Sequence, residues 1–150
     1  MMPRRSRYLP KFRPVTQEHA LGCAVACVAS RCAISYQEAL AFFDRAEHAW
    51  TRGYYCDEIV TALARATLRY SFSAFDPGSH RPLLDRPGTI VFHEPCKEYP
   101  HGHFLLRTQE GWMNPWSNFP QMIPVESALQ EKIGAALTYV IFELELERNA

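Results

Sequence analysis

Gln17 and Cys23 lie six residues apart in Q-E-H-A-L-G-C-A-V-A-C, and His103 and Asn114 follow in H-G-H-F-L-L-R-T-Q-E-G-W-M-N-P-W. Together these side chains supply the parts of a thiol hydrolase. Cys23 is the candidate nucleophile, His103 its base, Asn114 the residue that orients the base, and Gln17 an oxyanion donor. A thiol is a weak nucleophile until it loses its proton. A helix N-terminus favours the thiolate, and an imidazole within hydrogen-bond reach completes the activation. The other ring nitrogen needs a partner to fix ring and tautomer, and an Asn amide can do this. A Gln amide beside the backbone N–H of Cys23 can serve the oxygen of a tetrahedral intermediate.

The elements around these residues are legible in outline. Leu21-Gly22 reads as a loop end, and Cys23 to Ile34 as an apolar helix, buried on nearly all sides. This leaves Cys23 in the first turn and Cys27 one turn on along the same face. Gly102 to Arg107 and Trp112 to Trp116 read as strands joined by the turn Thr108-Gln109-Glu110-Gly111. If Arg107 pairs with Trp112, Asn114 lies opposite Leu105, with His103 two residues along the same face and within about 7–8 Å. Pro115 then limits the ladder. Ser35-Tyr36-Gln37-Glu38 predicts a capping box opening a helix to about Glu47. Asp57 is a candidate cap for a helix from Glu58 to about Leu68, with Ile59, Val60, Leu63 and Ala64 on its apolar side. Tyr70 to Phe75 alternates like a strand, Arg81 to Arg86 is a helical turn, and Ile90 to Phe92 a strand. Glu94 to His101 is a polar loop, Val125 to Ile133 a short helix, and Leu137 to Leu146 a long strand whose Glu143, Glu145 and Glu147 form a wet face. Helices first and strands afterwards give an α+β fold, a central Cys-bearing helix on an antiparallel sheet.

At this point the chain resembles the double-glycine leader peptidases, papain-like cysteine proteases that trim bacteriocin precursors at the front of their export transporters. Gln17, Cys23 and Cys27 match that family's Gln, nucleophile and following small residue. His103-Phe104-Leu105-Leu106 matches its H-F-x-x-L strand, and Asn114-Pro115 stands where it has Asp-Pro. Gly88-Thr89-Ile90-Val91-Phe92 matches the strand between. The resemblance spans roughly residues 15–120. It implies a papain-like fold and a Cys23–His103–Asn114 triad with Gln17 at the oxyanion. Ala24 replaces the family's Gly after the nucleophile, and Asn114 keeps the orienting role without the carboxylate charge. Neither a membrane-spanning run nor a nucleotide-binding loop is present, so the domain is expected to stand alone.

Length and composition bound the rest. The chain has 150 residues, 47% of them hydrophobic, and a formal net charge of zero. One domain over 15–150 is expected, preceded by a basic arm over 1–14, and no global charge points to nucleic acid. Five cysteines, three on one helix, suit a reducing, cytoplasmic compartment, and the basic start lacks the apolar core of a secretory signal. His19, His101 and Trp116 are weaker candidates for the substrate cleft, with solvated histidines and a wall aromatic as the plainer readings. His93, Glu94, Cys96, His101 and His103 are dense enough to raise zinc, but no ligand spacing supports it. No metal or cofactor is assigned. The expected partner is a peptide or protein substrate, attacked at a peptide or side-chain amide. A non-catalytic binding module that keeps the cleft, and a zinc-binding interaction domain, are the alternatives.

Overall fold

The computed structural model describes residues 9–121, 124–134 and 136–145. The fold is mixed α+β, with a helix-rich N-terminal part and a six-stranded antiparallel sheet. Helix α1 (Cys23–Cys32) is followed by α2 (Tyr36–Leu40), α3 (His48–Thr51) and α4 (Cys56–Arg65). Strand β1 (Tyr70–Ala74), helix α5 (Pro77–His80) and a 3-10 turn (Arg81–Asp85) lead to β2 (Ile90–His93), β3 (His103–Thr108), β4 (Gly111–Asn114), β5 (Ala128–Gln130) and β6 (Leu137–Glu143). The strand order is β1-β6-β2-β3-β4-β5, so the last strand enters beside β2 and leaves β3 near the middle.

Helix α1 is apolar all round because it is covered all round. Ala24 to Ala29 have no exposed surface and pack with Ile90, Phe104, Leu106, Met113 and Ile141 on one sheet face. Val91, Leu105, Trp112 and Val140 face the other way, under Leu83, Leu84 and Phe75. β3 is therefore buried on both faces, which explains its unbroken F-L-L run. At the C-terminal end of α1 the buried Arg31 guanidinium donates to Glu143 at 2.6 Å and to the Tyr70 hydroxyl at 2.8 Å. Glu143 is thus an anchor for a buried cation rather than part of a wet face; Glu145 is exposed, and Glu147 lies outside the described residues.

Several expected elements differ. The Ser35 capping box forms, but its helix ends at Leu40 instead of running to Glu47. The Phe42 and Phe43 amides tighten onto Ala39 and Leu40, and Arg65 takes the Phe42 carbonyl at 2.6 Å. That turn sends Phe43 inward against the Tyr54 ring, 4.2 Å away. Helix α4 starts two residues early, at Cys56, with Glu58 reaching back to the Tyr55 N–H at 2.8 Å, and buries Cys56, Ile59, Ala62 and Leu63 while Ala64 is exposed. The segment read as a helix over 125–133 is instead strand β5, because the open edge of β4 pairs it: Trp112 with Gln130 and Asn114 with Ala128. Pairing to an exposed edge outweighs a weak local preference.

The basic arm is held where it is described. Phe12 is buried, its N–H donates to Gln109 Oε1 at 3.0 Å, and Arg31 lies over its ring at 5.1 Å. Lys11 pairs with Glu110 at 2.6 Å. Arg4, Arg5 and Arg7 lie outside the described residues. Among the described residues, no helix is long and apolar enough to cross a membrane.

Candidate active site

The β3–β4 hairpin has the register the spacing predicts, through a tighter turn. Arg107 pairs with Trp112 and Thr108 with Gly111, leaving Gln109-Glu110 as the loop. Asn114 therefore falls opposite Leu105, on the same face as His103. The ladder stops at Asn114 because Pro115 follows. The consequence reaches Cys23. The Arg107 N–H donates to the Thr89 carbonyl, just before β2, so alternation turns the Phe104 N–H toward the β4 side. Past Asn114 the carbonyl available there, Pro115, already accepts the Gln17 N–H. The Phe104 N–H instead donates to Cys23 Sγ at 3.5 Å. The sulfur thus rests against the peptide that joins His103 to Phe104.

Cys23 is the first residue of α1, after Gly22. A side chain at 22 would put its Cβ 2.0 Å from the Tyr36 hydroxyl, so the close approach of α2 to the loop requires glycine there. Gly102 does the same before His103: its φ is +76°, and a Cβ would lie 2.2 Å from the Phe92 ring.

His103 Nε2 lies 2.7 Å from Asn114 Oδ1. The amide is fixed from every side. Oδ1 also accepts the Trp116 N–H at 3.0 Å, and Nδ2 donates to the Tyr99 hydroxyl at 2.8 Å and to Gln130 Oε1 at 3.3 Å. With Oδ1 facing the ring, the proton sits on Nε2 and Nδ1 carries the free lone pair. Nδ1 has no hydrogen-bond partner among the described residues. His103, Cys23, Gln17, His101 and Trp116 line one cleft of about 150 Å³. His19 does not line it: Tyr36 and Trp50 hold its ring, and its Nδ1 lies 3.0 Å from the Tyr36 hydroxyl. Trp116 is buried beside Asn114, its Nε1 donating to Gln121.

Gln17 reaches the cleft with its amide engaged. Nε2 donates to the carbonyls of His19 and Ala20 at 3.0 and 3.1 Å, so both its hydrogens are committed. Oε1 is buried without a partner. As placed, Nε2 has no hydrogen free for an oxyanion.

The electrostatics favour a neutral pair at rest. Burial pushes the Cys23 thiol up to about 11, against the opposing pull of the Phe104, Ala24 and Cys23 N–H groups. Burial likewise pushes His103 down to about 4; the Asn114 hydrogen bond resists this, and His93 adds to it. No hydrogen bond joins Cys23 Sγ to His103 among the described residues. Nor, among the described residues, do three His, Cys, Asp or Glu side chains gather as a metal-holding group.

Three contributors were not read from the sequence. Tyr99 and Gln130 hold the Asn114 amide, and the Phe104 N–H meets the sulfur. The one sequence signal for Tyr99 is an aromatic residue in the charged loop C-K-E-Y-P-H just before His103. No protein-family model matches the chain, and no curated protein matches its sequence.

Proposed function

We propose that the protein is a papain-like thiol hydrolase that cleaves a peptide or side-chain amide, and that it works in the cytoplasm. The observation that carries this reading is the 2.7 Å His103–Asn114 contact in the cleft that also holds Cys23. The likeness to the double-glycine leader peptidases supports it from the sequence side. In the reaction, Cys23 Sγ attacks the amide carbonyl while its proton passes to His103 Nδ1. The oxyanion is met by the N–H of Cys23 and, once freed, by Gln17 Nε2. The imidazolium then protonates the departing nitrogen as the C–N bond breaks, leaving a thioester. His103 next takes a proton from water as the water attacks the thioester, and returns it to Sγ as the C–S bond breaks, releasing the acid and regenerating the thiol.

The experiment uses a peptidyl electrophile that mimics the scissile carbonyl, with the labelled site mapped by mass spectrometry. Cys23 is expected to be modified in the parent. Labelling is expected to vanish in Cys23→Ala and to fall in His103→Ala, with both variants folded.

A second reading, a binding module that keeps the cleft, is favoured by the committed Gln17 amide and the raised Cys23 thiol. It predicts that Cys23 reacts no faster than Cys96, which sits in the 94–102 loop.

A further inference from the structure

The proposed triad carries a neutral Asn114 where a carboxylate would balance an imidazolium. Something else must meet that charge when His103 takes the thiol proton. Tyr99 is the group in place. Its ring lies parallel to the imidazole, 10° between planes and 4.5 Å between centroids. A cation within about 6 Å of an aromatic face is stabilised by the ring quadrupole. The Tyr99 hydroxyl meanwhile accepts from Asn114 Nδ2 at 2.8 Å, so one side chain touches both the base and its orienter.

Tyr99 is also held firmly for a loop residue. Its carbonyl accepts the N–H groups of Cys96 and Gly102 at 3.0 and 2.9 Å, and its own N–H donates to Cys96 Sγ at 3.4 Å. His93, paired across the strands with His103, meets the Tyr99 ring edge-on at 6.0 Å. Burial keeps the phenol above its ordinary range, against the pull of the Asn114 hydrogen bond, so the ring stays neutral and its face stays available to a cation.

We infer that Tyr99 is a positioning residue of this site: its π-face takes up the imidazolium charge that Asn114 cannot, and its hydroxyl fixes the Asn114 amide. The inference rests on the thiol-hydrolase reading, since it gives His103 a charged state to stabilise. Other titratable or charged groups around His103 are His93, paired with it from β2, and Cys23, His101, Arg52, Tyr54 and Tyr55, which line the same cleft; Glu98 and Cys96 flank Tyr99 on its own loop. None of these offers His103 an aromatic face in parallel contact.

The test follows the His103 titration by nitrogen-15 NMR in Tyr99→Phe and Tyr99→Leu, with Tyr99→Met as a second ring-less variant should Leu disturb the loop. Each is made in the parent and in Asn114→Asp, where a carboxylate brings the titration toward neutrality. The acid limb of Cys23 labelling by the peptidyl electrophile is recorded beside it. Loss of the ring is expected to lower the His103 pKa by about half a unit to one and a half units. Tyr99→Phe keeps the face and is expected to hold the parent pKa while loosening the Asn114 amide. A ring that merely shields His103 from water predicts the opposite sign, because hydration raises a pKa that burial has lowered. A rise or no change in the ring-less variants, or an equal fall in Tyr99→Phe, overturns the inference. If the pKa falls as expected in a protein that modifies no electrophile at Cys23, the contact by which Tyr99 stabilises a charged His103 stands, while the thiol-hydrolase reading fails and with it the role given to that contact.

Discussion

Replacing Asn114 by Asp asks how much the neutral amide governs the site. His103 titrates at about 4 because burial outweighs the Asn114 hydrogen bond. A carboxylate in place of the amide would sit with an oxygen near 2.7 Å from Nε2. At about 4 Å between charge centres and an effective dielectric near 20, the attraction is roughly 4 kcal/mol, or about 3 pKa units at most. Burial of the new charge takes back part of this, so a rise of about 1–3 units is expected. At pH 6 the imidazolium share would climb from about 1% to between roughly 10% and 90%. The acid limb of Cys23 alkylation by iodoacetamide should move upward with it, because His103 can take the thiol proton only in its neutral form. The structure also sets a cost. The oxygen replacing Nδ2 would face Gln130 Oε1, so Gln130 must turn its amide and leave the Lys132 carbonyl. Tyr99 can rotate its hydroxyl and donate instead. Asn114 is 2% exposed, and a stability loss of about 1–3 kcal/mol is expected where His103 is neutral. Nitrogen-15 NMR of His103 and mass-spectrometric labelling of Cys23 across pH read both effects. Asn114→Ala should instead lower reactivity at every pH by freeing the ring. Labelling like the parent in both variants would show that Asn114 does not act on His103, and the triad argument would fall.

Gly102→Ala should cost about 1–3 kcal/mol in urea unfolding and reduce Cys23 labelling, because its Cβ would meet Phe92 at 2.2 Å and push the start of β3. Unchanged stability would refute that packing. Arg31→Leu should cost about 3 kcal/mol by breaking the pair with Glu143, yet leave Cys23 labelling intact, since eight residues of helix place it about 12 Å away. A matching loss of labelling would contradict this separation. His103 titrates near 4 when folded and near 6.5 when unfolded. Its contribution is therefore full above about pH 6.5 and is lost as pH falls toward 4, about 3 kcal/mol in all. His103→Gln should flatten that part of the stability profile, and an identical slope would remove His103 as its source.

The residues at the site were legible because their types are chemical and their local spacing is set by the hairpin. An even loop puts His103 and Asn114 on one face whether it holds two residues or four, so the misjudged turn length did no harm. The sheet end was legible from Pro115. What was not legible depends on groups distant in sequence. The Asn114 amide is aimed by Tyr99 and Gln130, 15 and 16 residues away, and no local pattern links them. Gln17 could be placed beside Cys23, but its direction is decided by two loop carbonyls whose orientation no residue type encodes. The same cause explains β5. The segment 125–133 has no strong period of its own, and only the edge of β4 determines what it becomes.

The two burial shifts bear on how such a site could run. A thiol near 11 and an imidazole near 4 both resist charge, so the resting pair is neutral and holds no stored ion pair. If sulfur attacked a carbonyl, the proton would move to His103 as negative charge appeared on the substrate oxygen. The two new charges would be of opposite sign and would form in the same small cleft. Donors and π-face that met them would act on the transition state more than on the resting site, which is the condition for raising turnover rather than affinity. The Gln17 amide fits that scheme in an unexpected way. While it bonds the His19 and Ala20 carbonyls it contributes nothing to an oxyanion, and its Oε1 is buried without a partner. An unmet buried acceptor makes this arrangement costly. A substrate that offers an N–H to Oε1 and an oxyanion to Nε2 would relieve that cost, so binding and activation would come from one rotation of a single side chain.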